Sequence, residues 1–407
     1  MLDKVSPLAM TEFLNAHRLR RWAIIPVGMM ALWVVMAATE AILNLNSVRI
    51  HLGADFTCFW AAGSLARHGL AASVYQAQIL DAAEHTVRTM PPGGILPFYY
   101  PPPYLLLCLV LACMPYWTAI FVFLSGSATL LFTALWRLVP REFGIFPILA
   151  FPGFLITART GQNGLLSAAC LAWFAVLADR RPWLAGACLG ALAYKPQLAI
   201  CVPFALLASG RWRSLAGAAA TYAVLCTASL ILFGPGVWVA FFRHANEARA
   251  TIDGGMLEQS KIMSTFVAAR LLGLGLRGAA VLQGLVSLSA VAALIWYARR
   301  RPDGVALGGA LSAACLLVTP YATDYDLVCL APALAAGVAR GVRSGFLPGD
   351  KLFLIAAFLL PLVAVYIVQF SGTQIAPVVI AGLLFVLLRA PANAPDTMPP
   401  SPKPTPR

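Results

Sequence analysis

The chain has 407 residues, 60% of them hydrophobic and only 11% charged, where a soluble globular domain carries roughly 25% charged residues. Apolar runs long enough to cross a ~30 Å hydrocarbon core recur along the whole length. Open sheets cannot satisfy their backbone in lipid, so the fold class is an all-α polytopic integral membrane protein. The formal net charge of +13 sits in short Lys/Arg clusters between apolar runs, the pattern of loops kept in the cytoplasm. This excludes a nucleic-acid partner and makes membrane lipids the surroundings.

Residues 1–21 form a polar N-terminal segment ending in His17-Arg18-Leu19-Arg20-Arg21, expected inside. The first span is expected from about Trp22 to Leu45 and is too long for a signal-peptide core. A single membrane domain is expected over 22–390. Residues 391–407 hold few apolar side chains among many prolines, so a disordered Pro-rich cytoplasmic tail is expected there.

An outer loop, 46–100, follows the first span. Asp55 precedes Phe56, Phe59, Trp60 and Gly63, one helical face, which puts Asp55 at an N-cap position. Ser73-Val74-Tyr75-Gln76 reads as a capping box. It would open a second helix with Tyr75, Ile79, Ala82, Val87 and Met90 on one side and Asp81, Glu84, His85 and Arg88 on the other. Both helices are expected to be amphipathic and to lie in the interface plane. The loop closes on Tyr99-Tyr100-Pro101-Pro102-Pro103-Tyr104.

Apolar segments then fall near 104–114, 117–138, 145–158, 164–178, 184–194, 197–208 and 214–234, and again near 277–298, 304–319, 327–339, 351–370 and 375–389. That predicts about 11–13 transmembrane helices. Basic flags at Asp179-Arg180-Arg181, Arg211-Trp212-Arg213, Arg299-Arg300-Arg301 and Arg340 with Arg343 alternate consistently beyond residue 178. Between 101 and 163 the parity fails by one, so one short segment there should be a half-span that does not cross. A second outer loop is expected over 234–277. The nine cysteines lie mostly in apolar runs without a Cys-x-x-Cys pair, which indicates neither a metal site nor a disulfide framework.

Polar breaks interrupt the spans at Arg159-Thr160-Gly161-Gln162-Asn163, at Tyr194-Lys195-Pro196 and at Thr319-Pro320-Tyr321-Ala322-Thr323-Asp324-Tyr325-Asp326. Ionisable groups inside spans usually line a cavity. With the topology above, these breaks face outward with Asp55 and Tyr100, forming one cavity with acid, base and amide groups.

Gly53-Ala54-Asp55-Phe56-Thr57-Cys58-Phe59-Trp60-Ala61-Ala62-Gly63 resembles the first-loop motif of glycosyltransferase family 87. Ala72-Ser73-Val74-Tyr75, Tyr100-Pro101-Pro102, Gly161-Gln162-Asn163, Lys195-Pro196 and Thr319-Pro320-Tyr321 with Asp324-Tyr325-Asp326 follow in the family's order, over roughly 50–390. The resemblance implies a GT-C type fold with its active site on the outer, periplasmic face of a bacterial plasma membrane. It also implies transfer of mannose or a related sugar from a polyprenyl-phosphate donor to a lipid or glycan acceptor. The family's catalytic aspartate maps onto Asp55. A His often seen in the last motif is absent here, where the turn reads Ala322-Thr323-Asp324-Tyr325-Asp326.

Such a reaction needs a carboxylate to take the acceptor's proton and a cation to offset charge on the departing phosphate. Asp55 is the expected base, Lys195 the first and Arg159 the second candidate for the phosphate. Gln162, Asn163, Tyr100, Tyr321, Asp324 and Asp326 complete the expected substrate site. No cofactor and no metal is expected, because a monophosphate carrier needs none bridged across a diphosphate. The alternative is a sugar or polyprenyl-lipid flippase that uses the same cavity without chemistry.

Overall fold

The computed structural model describes residues 16–43, 53–87, 96–253 and 258–389. The tail 391–407, Leu45, Arg88, Met90 and the first fifteen residues lie outside these. Among the described residues the chain is helical throughout, with no strand and one isolated antiparallel bridge, Ile262 to Thr323.

Helix α1 spans Ala16–Leu43. It begins earlier than Trp22, because the His17–Arg21 cluster joins the helix and Arg20 donates to the Arg141 carbonyl at 2.9 Å. The first outer loop contributes α2 (Phe56–Arg67), a 3-10 turn (Ala71–Tyr75) and α3 (Ala77–His85). The expected capping box does not form. Ser73 lies inside the 3-10 turn, and α3 starts only after Gln76, without a side-chain cap. The reason is tertiary: Tyr75 donates its hydroxyl to the Tyr100 carbonyl at 2.8 Å, which pins the turn to the far end of the loop. The buried face of α3 also differs from the expected one. Leu80 and Glu84 point inward, while Ile79 and Ala82 are exposed. Nor is α2 a one-sided helix, since eight of its twelve residues are buried.

Helix α4 (Pro103–Leu111) is nine residues long, about 13 Å at 1.5 Å per residue. It begins with Tyr104 against Phe59, ring centroids 5.0 Å apart. It ends where Trp60 donates to the Met114 carbonyl at 2.9 Å. Both ends therefore lie against α2, and α5 (Tyr116–Leu138) starts from the same end of the bundle. Helix α4 is thus the short piece that does not run through, which restores the parity.

The remaining apolar helices run between two ends. Helices α6 (Phe146–Leu149) and α7 (Pro152–Thr160) form one run broken before Pro152. Then come α8 (Gly164–Leu177) and α9 (Pro182–Gly190), the latter continued by a 3-10 turn to Tyr194. Helices α10 (Pro196–Ala199) and α11 (Cys201–Ala208) make another broken run before α12 (Trp212–Phe233). The second outer loop is not all loop: α13 (Pro235–Asp253) and α14 (Thr265–Leu271) occupy much of it. Helices α15 (Leu276–Ala298), α16 (Gly304–Val318), α17 (Leu330–Ser344), α18 (Asp350–Ser371) and α19 (Ala376–Leu388) complete the bundle. Among the described residues five helices are long and apolar enough to cross a membrane alone: α5, α12, α15, α18 and α17 with its preceding turn. Five further apolar runs are shorter.

The short runs stop at buried polar breaks rather than at the bundle surface, as expected where backbone lines a protein cavity. Helices α9 and α12 approach closely through small residues. A Cβ on Gly186 would lie 2.0 Å from the Ser214 carbonyl oxygen, and one on Gly190 2.3 Å from that of Ala218. Such packing is the usual source of helix association in lipid, where no hydrophobic drive separates helix from solvent.

The basic clusters gather at one end and tie it together. Arg211 donates to Asp179 at 2.7 Å and to the Pro302 carbonyl at 3.0 Å. Asp350, fully buried, accepts from Arg340 at 2.7 Å and from Arg389. At the opposite end lie Gly53–Asp55, Thr160–Asn163, Lys195 and Thr319–Asp326.

Candidate active site

Asp55 is set by backbone. Gly53 N–H donates to the Arg159 carbonyl at 2.8 Å and Asp55 N–H to the Thr160 carbonyl at 3.0 Å. The start of α2 is thereby fastened to the end of α7, a contact about a hundred residues distant in sequence. Gly161 makes it possible. Its φ of +74° closes α7, and a Cβ there would sit 2.7 Å from Gly53 Cα and 2.8 Å from Phe56 Cβ. Tyr116 completes the clamp by donating to the Gly53 carbonyl at 3.1 Å.

Asp55 occupies the N-cap position of α2, but its side chain does not cap. The carboxylate instead accepts from Gln162 Nε2, Oδ2 at 3.0 Å. Tyr100 donates its hydroxyl to Gln162 Oε1 at 2.9 Å. The amide is thus oriented from both ends. Burial pushes the Asp55 carboxyl above the ordinary carboxylate range, opposed by the Gln162 hydrogen bond and by the charges of Lys261 and Arg159. A carboxylate raised in this way, yet hydrogen-bonded and reachable, suits a general base.

Arg159 is exposed on the last turn of α7, and Asp324 lies in the field of Asp55, Arg159 and Lys261. Asp324 is 4% exposed and accepts from the Tyr325 N–H at 2.9 Å. Hydrogen bonds thus join Asp55, Gln162 and Tyr100 into one group, with Arg159 and Asp324 within electrostatic reach of it. Asn163, fully buried next to Gln162, faces Tyr100 and Tyr104, although its amide makes no hydrogen bond of full geometry.

Lys195 and Asp326 form a second group. Lys195 Nζ donates to Asp326 Oδ1 at 2.5 Å, with both side chains 3% exposed. Nζ also lies 5.0 Å from the centre of the Tyr325 ring. Asp326 Oδ2 accepts from the Thr323 hydroxyl at 3.0 Å and the Thr323 N–H at 3.3 Å, a capping box that opens the 3-10 turn Asp324–Cys329. The Lys195 ammonium is therefore engaged in holding the Asp324 turn. Thr157 holds the same turn from α7 by donating to the Tyr325 carbonyl at 3.0 Å. Tyr321 faces a neighbouring cavity of about 410 Å³ against α15, which it lines with Pro320, Arg277 and Gln283.

One contributor was not singled out in the sequence. Lys261, on the second outer loop, reaches the electrostatic neighbourhood of Asp55 and Asp324. It does so because Ile262 bridges to Thr323 and Met263 N–H donates to the Ala322 carbonyl at 2.7 Å. No local pattern links residues 261 and 323. Among the described residues no three His, Cys, Asp or Glu side chains group closely enough to hold a metal ion.

Among known proteins, no curated protein and no solved structure matches the chain. The profile of glycosyltransferase family 87 does match, over residues 98–320. That range is narrower than the resemblance over 50–390. It contains Tyr100, Arg159, Gln162, Asn163 and Lys195, but stops short of Asp55 at one side and of Tyr321, Asp324 and Asp326 at the other. The backbone bonds from Gly53 and Asp55 to Arg159 and Thr160 join the unmatched first loop to the matched region. With the match covering more than half of its length, this multi-pass helical chain belongs to glycosyltransferase family 87, membrane glycosyltransferases.

Proposed function

We propose that the chain is a hexosyltransferase that moves mannose from a polyprenyl-phosphate donor to a hydroxyl of a lipid or glycan acceptor, with inversion. The setting in this reading is the outer, periplasmic face of a bacterial plasma membrane, with the basic end of the bundle inside. The observation that carries it is the Asp55 carboxylate, desolvated, oriented by Gln162 and flanked by the exposed Arg159.

Asp55 takes the acceptor hydroxyl proton as that oxygen attacks the anomeric carbon. The bond from the anomeric carbon to the phosphate oxygen breaks, and polyprenyl phosphate leaves with the electron pair. Arg159 offsets the developing phosphate charge. It takes precedence over Lys195 here, because the Lys195 ammonium already holds Asp326 in a buried pair. Lys195 and Asp326 act by fixing the turn that presents Asp324 to the sugar. Gln162, Asn163 and Tyr100 orient the base, and the cavity beside Tyr321 receives part of the lipid chain.

The test is direct. Purified protein in detergent is offered labelled polyprenyl-phosphate sugars with a lipid extract, and the product is identified. A glycosylated product formed by wild type and lost in Asp55→Asn supports the reading. An Asp55→Asn protein that transfers at the wild-type rate removes Asp55 as base. Sugar lipid moved across sealed vesicles without being consumed would favour the flippase. A retained anomeric configuration would make Asp324 a nucleophile, by analogy with the paired carboxylates of retaining glycosidases.

A further inference from the structure

The segment Glu258–Ser264, from the second outer loop, packs against the Ala322–Thr323 turn that leads into Asp324. It is anchored rather than loose. Ile262 bridges to Thr323, Met263 N–H donates to the Ala322 carbonyl at 2.7 Å, and Gln374 donates to the Ile262 carbonyl at 2.9 Å. Ser260, Ile262, Met263 and Ser264 are all buried. Lys261 is the exception. It stands half exposed between two buried neighbours, immediately before the residue that pairs with Thr323, which itself precedes Asp324.

Its partner is Glu258, three residues away, with Nζ to Oε2 at 2.7 Å and both side chains about half exposed. Glu258 is held in place by Ser260, which donates its hydroxyl to Oε1 at 2.7 Å. An exposed pair of this kind contributes little to stability. The pair nevertheless keeps an ammonium next to the Ile262–Thr323 bridge and within electrostatic reach of two carboxylates, Asp55 and Asp324, which the exposed Arg159 also reaches. A carboxylate on a lysine so placed is the local substitute for an incoming anion.

We infer that Lys261 is a second phosphate-binding residue for the lipid-linked donor, held by Glu258 until the phosphate displaces that carboxylate. The inference rests on the glycosyl-transfer reading above and adds a residue to it. Two cations then meet the phosphate, Arg159 on α7 and Lys261 on the loop bridged to Thr323. Displacement of Glu258 makes the occupied site depend on the phosphate, since a neutral lipid cannot replace the carboxylate.

The experiment measures binding of undecaprenyl monophosphate to the full chain in detergent. The proteins are wild type, Lys261→Gln, Lys261→Arg and Glu258→Gln, with thermal unfolding recorded for each. Lys261→Gln is expected to weaken binding about tenfold, the usual scale of one charge-assisted hydrogen bond. Lys261→Arg should restore most of it, and Glu258→Gln should tighten it several-fold by removing the competitor. Unfolding temperatures should stay near that of wild type. If wild type binds but neither Lys261→Gln nor Glu258→Gln changes the affinity, Lys261 has no phosphate role and the transferase reading stands. If wild type binds no lipid phosphate, both fall together.

Discussion

Gln162 turns its amide nitrogen toward Asp55 because Tyr100 donates to its amide oxygen at 2.9 Å and holds the amide in that orientation. The hydrogen bond stabilises the charged carboxylate, which burial alone would drive toward the neutral acid. Activity that needs ionised Asp55 is present above its raised pKa and lost as pH falls through it. Gln162→Leu removes the opposing hydrogen bond, so the acid limb of the rate profile should move to higher pH, with a loss of roughly tenfold at neutral pH. Tyr100→Phe should move the limb in the same direction and less far, since the amide then becomes free to turn. A pH–rate profile of Gln162→Leu that overlays wild type would remove Gln162 from control of the base.

The bundle itself could be read from the residues with little loss. In a chain solvated by lipid, apolar runs punctuated by Pro and Arg carry the helix signal, and the observed α5, α8, α12, α15, α16 and α18 lie within a few residues of the expected segments. The outer loops were harder. Leu80 and Glu84 face inward because Glu84 meets the Leu96 N–H and the Cys58 thiol, contacts that no periodicity within α3 encodes. Helix α4 looks like half a span in sequence, and only the contacts of Phe59 and Trp60 show that it folds back. Lys195 illustrates the same limit. A lysine flanked by proline between apolar runs signals a cavity, but whether it meets a ligand or Asp326 depends on a residue 131 positions away.

The Lys195–Asp326 pair carries a stability prediction. Removing one partner of a buried pair leaves the other charge uncompensated, typically at a cost of about 3–5 kcal/mol. Lys195→Met should therefore lower the unfolding temperature in detergent sharply. Combining it with Asp326→Asn should recover much of the loss, because Asn remains an acceptor for Thr323 without a buried charge. Equal stability of Lys195→Met and wild type would show that the pair does not hold the turn.

Gly161 tests the backbone clamp on Asp55. Gly161→Ala combines a left-handed φ of +74° with a Cβ 2.7 Å from Gly53 Cα. The Gly53–Asp55 segment must move to accommodate it, at about 1–3 kcal/mol, and transfer should fall further than stability alone explains. Gly69→Ala is the control. Its φ is similar, at +79°, but nothing lies within 4 Å of the added Cβ. If both variants lose equal activity, the contact between Gly161 and Gly53 does not position the base.

Glu84 predicts a pH dependence of stability separate from catalysis. Its side chain is buried in the outer loop, and burial is the largest cause raising its carboxyl from the ordinary 4.5 to about 7. The Leu96 N–H at 3.4 Å and the Cys58 thiol oppose the rise, Asp81 adds to it and His85 works against it. The folded protein thus holds the Glu84 proton more tightly than the unfolded chain does. The resulting stability is fully present below about pH 4.5 and is lost as pH rises through about 7. Wild type should unfold at progressively lower temperature between pH 5 and pH 8, on top of any background change. Glu84→Gln, neutral throughout, should flatten that slope and be the more stable protein at pH 8. An unfolding temperature that falls as steeply for Glu84→Gln as for wild type would assign the dependence to other groups.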